Sequence, residues 1–445
     1  MTESAAAMNR RREVRTVAAS MIGTAIEFYD FSIYGAAASL VFSHLFFPDV
    51  SDFVGTLLSL STFAIAFVAR PIGAAVFGHF GDRVGRKGTL FVTLMLMGVA
   101  TVGIGLLPTY SQIGVWAPIL LVFLRLVQGF SLGGEQSGAM LMSVESARDK
   151  RRGMFGAFVN SGAGWGLLFA NLAFLAMSQL STEAFQSWGW RVPFLLSAVL
   201  VVVGLYIRLR LEESPEFEQV KKVGEVRKLP LVEVFQTNWR QVALLAFGLM
   251  ASGVSYYIAI VYSLSYGVNI LGQSNGTMLS LVLCMTVLMI TLVPFIGWLS
   301  DRWGMESRRR IFIGSSVALM ATSFIWFSLL QTRQYGLMLL GFVILFVAYC
   351  ANIAVTPTFF ALAFPARVRY SGMAIGFTLG TVIGASIAPL VATAVQGATG
   401  SWVGVAAYMS GAALLAAVAG LLLREHVPVG APRRSVADEG ESVSA

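Results

Sequence analysis

The stretch Gly78-His79-Phe80-Gly81-Asp82-Arg83-Val84-Gly85-Arg86-Lys87 decides the fold, because its pattern occurs again about half a chain later. The second copy is Gly297-Trp298-Leu299-Ser300-Asp301-Arg302-Trp303-Gly304, with three more arginines at 308–310. Both copies read G-x-x-x-D-R-x-G, and each follows a long apolar run. Matching charged hairpins in two apolar halves indicate an internally duplicated membrane protein, the architecture of many secondary transporters.

The composition excludes a soluble protein of this size. Of the 445 residues 56% are hydrophobic and 12% are charged, whereas about 25% of the residues of soluble domains are charged. Runs of about 20 mostly apolar residues recur along the chain, and each is long enough to cross a bilayer. Lipid offers no partners to backbone groups, so these runs must be helices. We therefore predict an all-α integral membrane protein.

The apolar runs predict twelve transmembrane helices in two six-helix bundles. The predicted spans are 17–42, 53–78, 89–108, 114–143, 154–180, 190–209, 241–270, 275–299, 311–330, 335–363, 371–397 and 402–423. We predict an N-terminal bundle over 1–210, a charged cytoplasmic linker over 211–239, a C-terminal bundle over 240–424 and a disordered cytoplasmic tail over 425–445.

The net charge of +8 does not indicate nucleic-acid binding, because the positive charges follow the membrane topology. On these spans, 27 of the 31 Lys and Arg residues lie before the first span, after the even-numbered spans or after the last one. The positive-inside rule then places both termini in the cytoplasm.

Ionisable side chains inside the spans are expensive and so need an explanation. Glu27 and Asp30 share one face of span 1, and Arg125 lies at a similar depth, about 15 Å in, on span 4. Two acids beside one arginine can gain or lose a proton at working pH, which proton-coupled transport requires. Alternatively, Arg125 only neutralises one carboxylate and holds spans 1 and 4 together.

Glu135 and Arg70 lie nearer the cytoplasmic side, on spans 4 and 2. A structural ion pair or an inner gate explains them better than a proton carrier, although Glu135 stays a proton-coupling candidate. On these spans the second half holds no ionisable residue, so it offers neutral polar groups. The candidate substrate-binding residues are Arg125, Tyr34, Asn160, Tyr256, Tyr257 and Asn352.

The duplicated hairpins are candidate gates. Gly81 and Gly85 permit a tight turn, and an aspartate such as Asp82 can accept bonds from a neighbouring helix N-terminus. The basic residues could instead bind lipid headgroups. The candidate gating residues are Gly78, Asp82, Arg83, Gly85, Arg86, Lys87, Asp301, Arg302 and Glu145.

At these residues the sequence resembles the major facilitator superfamily, and within it the metabolite:proton symporters, whose members carry shikimate, 2-oxoglutarate, citrate, and proline or betaine. The matching stretches are Gly23–Phe31 with Tyr34-Gly35, Arg70-Pro71, Arg125–Ser131 with Gly133–Glu135, Trp190–Phe194, and Phe364-Pro365 through Arg369–Gly372. The resemblance implies the major facilitator fold, a bacterial inner-membrane location, the proton as coupling ion, and no metal or other cofactor.

The chain departs from the family in its second half, with Ala363, Phe377-Thr378 and Ala385-Ser386 where other residues are usual. The resemblance therefore does not name a substrate. We expect a proton-driven importer of a small polar metabolite, preferentially an organic anion such as a mono- or dicarboxylate, that works as a monomer by rocking of its two bundles. In this scheme Arg125 attracts a substrate carboxylate while Glu27 and Asp30 take up the proton.

Four alternatives stay open. Three use the same scaffold: uptake of a zwitterionic osmolyte of the proline or betaine type, a proton-coupled exporter, and a passive facilitator. The fourth, an intramembrane enzyme, is disfavoured because His44, His79 and His426 show no metal-ligand spacing and no nucleophile–base arrangement stands out.

Overall fold

Helices are the only regular elements in the part of the chain that the computed structural model describes, which is 2–84, 86–133, 143–144, 151–209, 236–364 and 369–423. Side chains are described for 17–74, 76–77, 91–133, 143–144, 151–206, 236–304, 306–364 and 372–423. The predicted tail from 425 and nearly all of the predicted linker lie outside these ranges. The domain boundaries therefore stay predictions.

The described part contains twelve long helices, which we number in chain order. They are α1 Thr2–Leu40, α2 Asp52–Val84, α3 Arg86–Leu106, α4 Trp116–Ser131, α5 Arg152–Met177, α6 Arg191–Leu209, α7 Trp239–Asn269, α8 Asn275–Arg302, α9 Met305–Gln331, α10 Tyr335–Ala361, α11 369–399 and α12 Trp402–Leu422. Two short helices, Phe42–Phe46 and Tyr110–Ile113, follow α1 and α3, and Thr182–Ala184 with a π-helical turn, Phe185–Gly189, precedes α6. Further π-helical turns interrupt α7 at Ile258–Tyr262 and α11 at Thr381–Ser386.

Most of these helices have the length and hydropathy of membrane spans. Among the described residues nine helical segments are long and apolar enough to cross a bilayer, and the apolar parts of α3 and α4, Phe91–Leu106 and Trp116–Ser131, are shorter. Together with α1 they make twelve, so the predicted all-helical membrane fold is confirmed.

Two boundaries differ from the prediction. Helix α1 begins at Thr2 rather than near 17, because the alanines and arginines of the N-terminal stretch are good helix formers. Helix α2 continues to Val84 instead of ending near 78, and α3 starts at Arg86. Residues 78–84 of the first G-x-x-x-D-R-x-G motif are therefore helical.

Each half packs as a bundle of six helices, and a few helices join the halves. In the first half α5 packs on α1, α2 on α4, and α3 on α6; in the second half α9 packs on α10 and α12, and α7 on α11 and α12. Between the halves α5 lies against α8 and α10, α1 against α7, and α2 against α11. We call the end at which α2 leads into α3 and α8 into α9 the hairpin end.

Helices α2 and α4 cross so closely that glycine is required at the contact. A Cβ atom added to Gly129 on α4 would overlap the backbone of Ala66 on α2, and one added to Gly73 on α2 would overlap the backbone of Phe130. Small residues allow such an approach of helices inside a membrane. The crossing places Arg70 on α2 and Arg125 on α4 within one or two turns of the contact.

Candidate functional site

A cavity lies between the two halves of the protein and is lined by residues of both. Its wall is mainly apolar and aromatic, with a few polar groups, as is usual for small-molecule sites. The first half contributes Glu27, Phe28, Phe31, Arg70, Asn160 and Ala163. The second half contributes Leu249, Ser252, Gly253, Tyr256, Tyr257, Tyr349, Ile353, Phe377, Gly380, Thr381 and Ala385.

The charged part of this wall is an ion pair between α1 and α2. Arg70 donates through Nη2 to Oε1 of Glu27 at 2.9 Å, and the two residues are only 6% and 4% exposed. The guanidinium group of Arg70 also lies 4.7 Å from the ring centres of Phe31 and Phe67. A buried charge is tolerated when it is paired and bonded in this way, so each member of the pair depends on an oppositely charged partner.

This pairing differs from the prediction, which placed Arg125 beside the acids and Arg70 deeper, near Glu135. The close crossing of α1 and α2 places the two side chains at one level, where Nη2 of Arg70 lies 2.9 Å from Oε1 of Glu27. Arg70 therefore lies at the level of Glu27 rather than deeper, where it was predicted. Sequence reasoning therefore missed Arg70 as a cavity residue; the Arg70-Pro71 pair within the family resemblance was the available signal.

Arg125 is 1% exposed and lies behind the cavity wall. Its Nη1 donates to Gln128 at 2.8 Å, and its Nη2 and Nε donate to the carbonyl oxygens of Phe63 and Thr62 at 3.1 and 3.4 Å. Its guanidinium group lies 3.7 Å from the ring centre of Tyr34. Neither Arg125 nor Tyr34 is among the residues that line the cavity. Both side chains therefore lie behind the wall and support it, and they do not face the cavity.

Asp30 joins the same buried network. Its Oδ2 lies 2.9 Å from the hydroxyl of Thr101, which accepts a bond from Nε2 of Gln128 at 2.6 Å. Within the described part of the chain, Oδ1 of Asp30 has no hydrogen-bond partner. The network therefore runs from Asp30 through Thr101 and Gln128 to Arg125, and the predicted grouping of two acids with an arginine includes Arg70 as a fourth charge.

Three tyrosines form the opposite, neutral part of the wall. The rings of Tyr256 and Tyr349 stack with centres 5.6 Å apart. The ring of Phe28 from the first half meets the ring of Tyr256 edge-on, with their centres 5.9 Å apart. The ring of Tyr257 also meets that of Tyr256 edge-on, with centres 5.0 Å apart. Both π-helical turns of the second half border this aromatic cluster, because Tyr257 precedes one and Thr381 begins the other. The predicted tyrosines Tyr256 and Tyr257 thus face the cavity.

The two predicted asparagines lie in different places. Asn160 lines the cavity and donates to the carbonyl oxygen of Ile353 at 3.0 Å. Asn352 is fully buried between α10 and α9, where it donates to Ser316 and Ser315 at 3.0 and 3.2 Å. Consecutive helix positions point about 100° apart, so Ile353 faces the cavity and Asn352 faces away from it. The structure does not bring Asn352 to the site.

At the hairpin end, Asp301 joins the halves. Its Oδ1 and Oδ2 accept bonds from the backbone N–H groups of Gly153 and Met154, both at 2.8 Å. Arg308 donates to the same carboxylate at 2.8 Å. A carboxylate on the first turn of α5 also complements the helix dipole. The predicted gating residue Asp301 therefore does contact a neighbouring helix N-terminus.

Two further contacts lie near the ends of the bundle. Arg302, the other predicted gating residue of the second motif, lies with its guanidinium group 3.9 Å from the ring centre of Trp298. At the opposite end of the bundle, Ser39 on α1 donates to the carbonyl oxygen of Val261 on α7 at 2.9 Å. The two halves thus meet at both ends of the cavity.

The remaining predicted residues cannot be placed in the site. Glu135, Glu145 and Gly85 lie outside the described residues, and the side chains at 78–90 lie outside the described side chains. The side chains at 78–90 that lie outside the description include those of Asp82, Arg83, Arg86 and Lys87, and Gly78 falls in the same stretch. Among the residues that are described, no group of three or more His, Cys, Asp or Glu side chains could hold a metal ion.

Comparison with known proteins identifies the family. The family model described as Major Facilitator Superfamily matches residues 20–375 and 281–444. The inner membrane metabolite transport protein YhjE of Escherichia coli K12 is 42% identical over 423 residues, which cover 92% of this chain and 94% of that protein. The shikimate transporter of the same organism is 36% identical, covering 95% and 97%. The proline/betaine transporter of Salmonella typhimurium is 32% identical, covering 92% and 83%.

Solved structures agree on the fold. The D-xylose-proton symporter superposes with a TM-score of 0.70 at 16% identity, over 93% of this chain and 98% of that one. The inward open xylose transporter XylE of E. coli gives a TM-score of 0.68 at 17% identity, over 93% and 96%. At this identity the likeness shows the architecture alone. With the family match and the sequence relatives, it establishes that the chain is a transporter of the major facilitator superfamily.

Proposed function

We propose that the protein imports a small organic anion together with a proton by alternating access. The observation that carries this proposal is the Glu27–Arg70 ion pair on the cavity wall. An arginine does not lose its proton in proteins, so Arg70 needs a negative partner whenever the cavity is closed to water. Glu27 provides that partner in the substrate-free state.

The pair couples the proton to the substrate by competition. A substrate carboxylate can take the place of Glu27 beside Arg70 only if Glu27 is neutralised, since two carboxylates would otherwise share one cation in a buried site. Protonation of Glu27 removes that conflict. One proton and one carboxylate then enter together, and the net charge of the buried cavity does not change.

The network behind the wall supports this role. Asp30 has a buried oxygen without a partner in the described region, and uptake of a proton removes the charge that this carboxylate would otherwise carry there. Thr101 and Gln128 connect Asp30 to Arg125. We assign Asp30 as a second proton site and Arg125 as the side chain that holds the network in place. The substrate carboxylate goes to Arg70 instead of Arg125.

The orientation follows from the charge distribution of the sequence. The positive-inside rule places the hairpin end and both termini in the cytoplasm, and the relative YhjE is named an inner membrane protein. We therefore place this protein in a bacterial inner membrane. One chain supplies both walls of the cavity, so a monomer suffices for transport.

A second candidate substrate is a zwitterion with a quaternary ammonium group. The faces of Phe28, Tyr256 and Tyr349 adjoin the cavity, and aromatic faces attract such cations. One relative is named a proline/betaine transporter. Charge balance favours the anion, because a zwitterion and a proton together would add one positive charge to the closed cavity.

The proposal is tested with purified protein in proteoliposomes that contain a pH-sensitive dye. We expect monocarboxylates from a panel of carboxylates, amino acids and betaines to drive proton influx, and Glu27→Gln to abolish it. The Gln variant should still exchange labelled substrate across the membrane, because a neutral side chain at 27 leaves Arg70 free to bind a carboxylate.

The outcomes separate the alternatives. Substrate movement without proton movement in the wild-type protein indicates a passive facilitator. Transport of betaines in preference to carboxylates favours the zwitterion. Full concentrative uptake by Glu27→Gln contradicts the assignment of the proton to this residue.

A further inference from the structure

The bond between Asn160 and Ile353 links the two halves beside the cavity. The amide nitrogen of Asn160 on α5 lies 3.0 Å from the carbonyl oxygen of Ile353 on α10. Asn160 is 5% exposed, and both residues line the cavity. The donor is a side chain of the first half, and the acceptor is backbone of the second half.

The acceptor is available because of a proline. Pro357 lies inside α10, four residues after Ile353. The carbonyl of Ile353 would normally accept a bond from the N–H group at position 357, and proline has no N–H group. A partly buried carbonyl without a donor is still costly. When the halves are closed Asn160 supplies the donor, and when they open water can replace it.

The same proline forms part of the surface on which α5 closes. A Cβ atom added to Gly156 on α5 would lie 3.2 Å from Cβ of Pro357. Next to it, the hydroxyl of Thr358 lies 3.4 Å from the carbonyl oxygen of Arg152. Residues 152, 156 and 160 share one face of α5. This face therefore forms a continuous seam from the hairpin end to the cavity.

We propose that Asn160 is a positioning residue of the transport cycle, which stabilises closure of the hairpin end by supplying the hydrogen-bond donor that Pro357 removes from Ile353. The bond forms only when the halves meet, so it contributes to the closed state and nothing to the open one. The inference rests on the established transporter fold and is independent of the proposed substrate and proton sites.

The test measures closure directly, without substrate. Spin labels are attached to Val92→Cys on α3 and Trp303→Cys after α8, which are exposed positions of the two halves at the hairpin end. Free cysteines 284 and 350 are replaced beforehand. The distance distribution in lipid nanodiscs gives the ratio of open to closed molecules. We expect Asn160→Leu to raise this ratio about tenfold, the effect of one partly buried carbonyl without a donor.

The measurement specific to this proposal is whether Pro357→Ala cancels the effect of Asn160→Leu on the open-to-closed ratio. Pro357→Ala returns an N–H group to α10 at the position that Ile353 needs, so Asn160→Leu should have less than about a twofold effect in that background. A merely structural role for Asn160 would give the same effect in both backgrounds. If Asn160→Leu does not fold, Asn160→Ala removes the same donor with a smaller side chain.

Two matched controls accompany the test. Asn171 lies on the same helix, is 3% exposed, and donates to the carbonyl of Leu167 within its own helix at 2.9 Å. Asn171→Leu should leave the open-to-closed ratio unchanged. Ser39→Ala removes the bond between the halves at the opposite end and should not raise the ratio either. An unchanged ratio in Asn160→Leu, or an equal rise with and without Pro357, overturns the proposal.

Discussion

The two halves of the protein contribute different chemistry to the same cavity. The first half supplies both charged side chains of the described wall, Glu27 and Arg70, fixed between closely packed helices. The second half supplies three tyrosines, and two π-helical turns border its wall at 258–262 and 381–386. The halves share a fold and a duplicated motif, but among the described residues only the first half contributes charged side chains to the cavity wall.

The difference has a physical basis. Buried charges need partners in fixed positions, and the close crossing of α2 and α4 provides a rigid support for Arg70. A π-helical turn holds one extra residue in a helix and often marks a functional site. The arrangement separates the ionic chemistry of the first half from the aromatic wall of the second half, which the two π-helical turns border.

The largest effect is expected from breaking the charged half. In Arg70→Gln the cation that faces Glu27 and the substrate is lost, so we expect uptake to fall at least about 100-fold, in keeping with about 3–5 kcal/mol for a broken buried ion pair. Uptake of labelled substrate in proteoliposomes measures this. Arg310→Gln is the control, because the exposed Arg310–Glu306 pair contributes little. Near-normal uptake by Arg70→Gln would move the substrate site away from this ion pair.

A smaller effect is expected at the hairpin end, where the halves join through a charge. Asp301→Asn removes the negative charge that binds two backbone N–H groups of α5, and keeps one oxygen to accept from them. Charge-assisted bonds contribute about 1.5–3 kcal/mol, so we expect the open population of the hairpin end to rise about tenfold or more. Spin-label distances between positions 92 and 303 give the ratio.

Glu306→Gln is the matched control for Asp301→Asn. Glu306 lies near the same end, and its ion pair with Arg310 is exposed to water. The side chain of Arg310 is 76% accessible and that of Glu306 is 78% accessible. We expect no change in the distances. If both variants shift the distances equally, the carboxylate of Asp301 is not a specific link between the halves.

The comparison also shows what could be predicted from sequence. The repeated motif and the apolar runs predicted the fold, because the period of apolar residues and the cost of lipid-exposed backbone leave few alternatives. The uneven distribution of buried charge predicted which half carries the ionic network. Arg70 was predicted to lie deeper than Glu27 but pairs with it, because the level at which two helices meet depends on their packing and cannot be counted from the predicted ends of the spans.

The direction in which each side chain points was the second feature that could not be predicted from the sequence. Depth along a helix can be counted from sequence, but rotation about its axis depends on packing. Tyr34 and Arg125 have the right depth for the cavity and turn instead towards each other behind Phe31. Tyr349 faces the cavity and was not among the predicted substrate-binding residues. Counting residues along a helix cannot distinguish a side chain that faces the cavity from one at the same depth that turns away from it.

A moderate effect is expected at the aromatic wall, and it sharpens the contrast between the halves. Removing the hydroxyl in Tyr256→Phe should weaken apparent substrate affinity roughly 3- to 10-fold, the range of one hydrogen bond. If the substrate is an anion, Tyr256→Leu should weaken the apparent substrate affinity little more than Tyr256→Phe does. If it carries a quaternary ammonium group, the Leu variant should be far weaker than the Phe variant, because the aromatic face is then the binding group. Tyr335→Phe, at the exposed start of α10, is the control in competition assays.

The smallest effect is expected at Asn352, which tests whether the second half has a polar site hidden behind its aromatic wall. Its amide bonds Ser315 and Ser316, and both hydroxyls also donate to the carbonyl of Phe312. Asn352→Leu therefore leaves these hydroxyls with partners, and we expect a loss of stability of about 1 kcal/mol with uptake within about twofold of wild type. Thermal unfolding in detergent and uptake in proteoliposomes measure the two quantities separately. A large loss of substrate affinity at normal stability would mean that Asn352 turns towards the cavity during the cycle, and the polar chemistry would then belong to both halves.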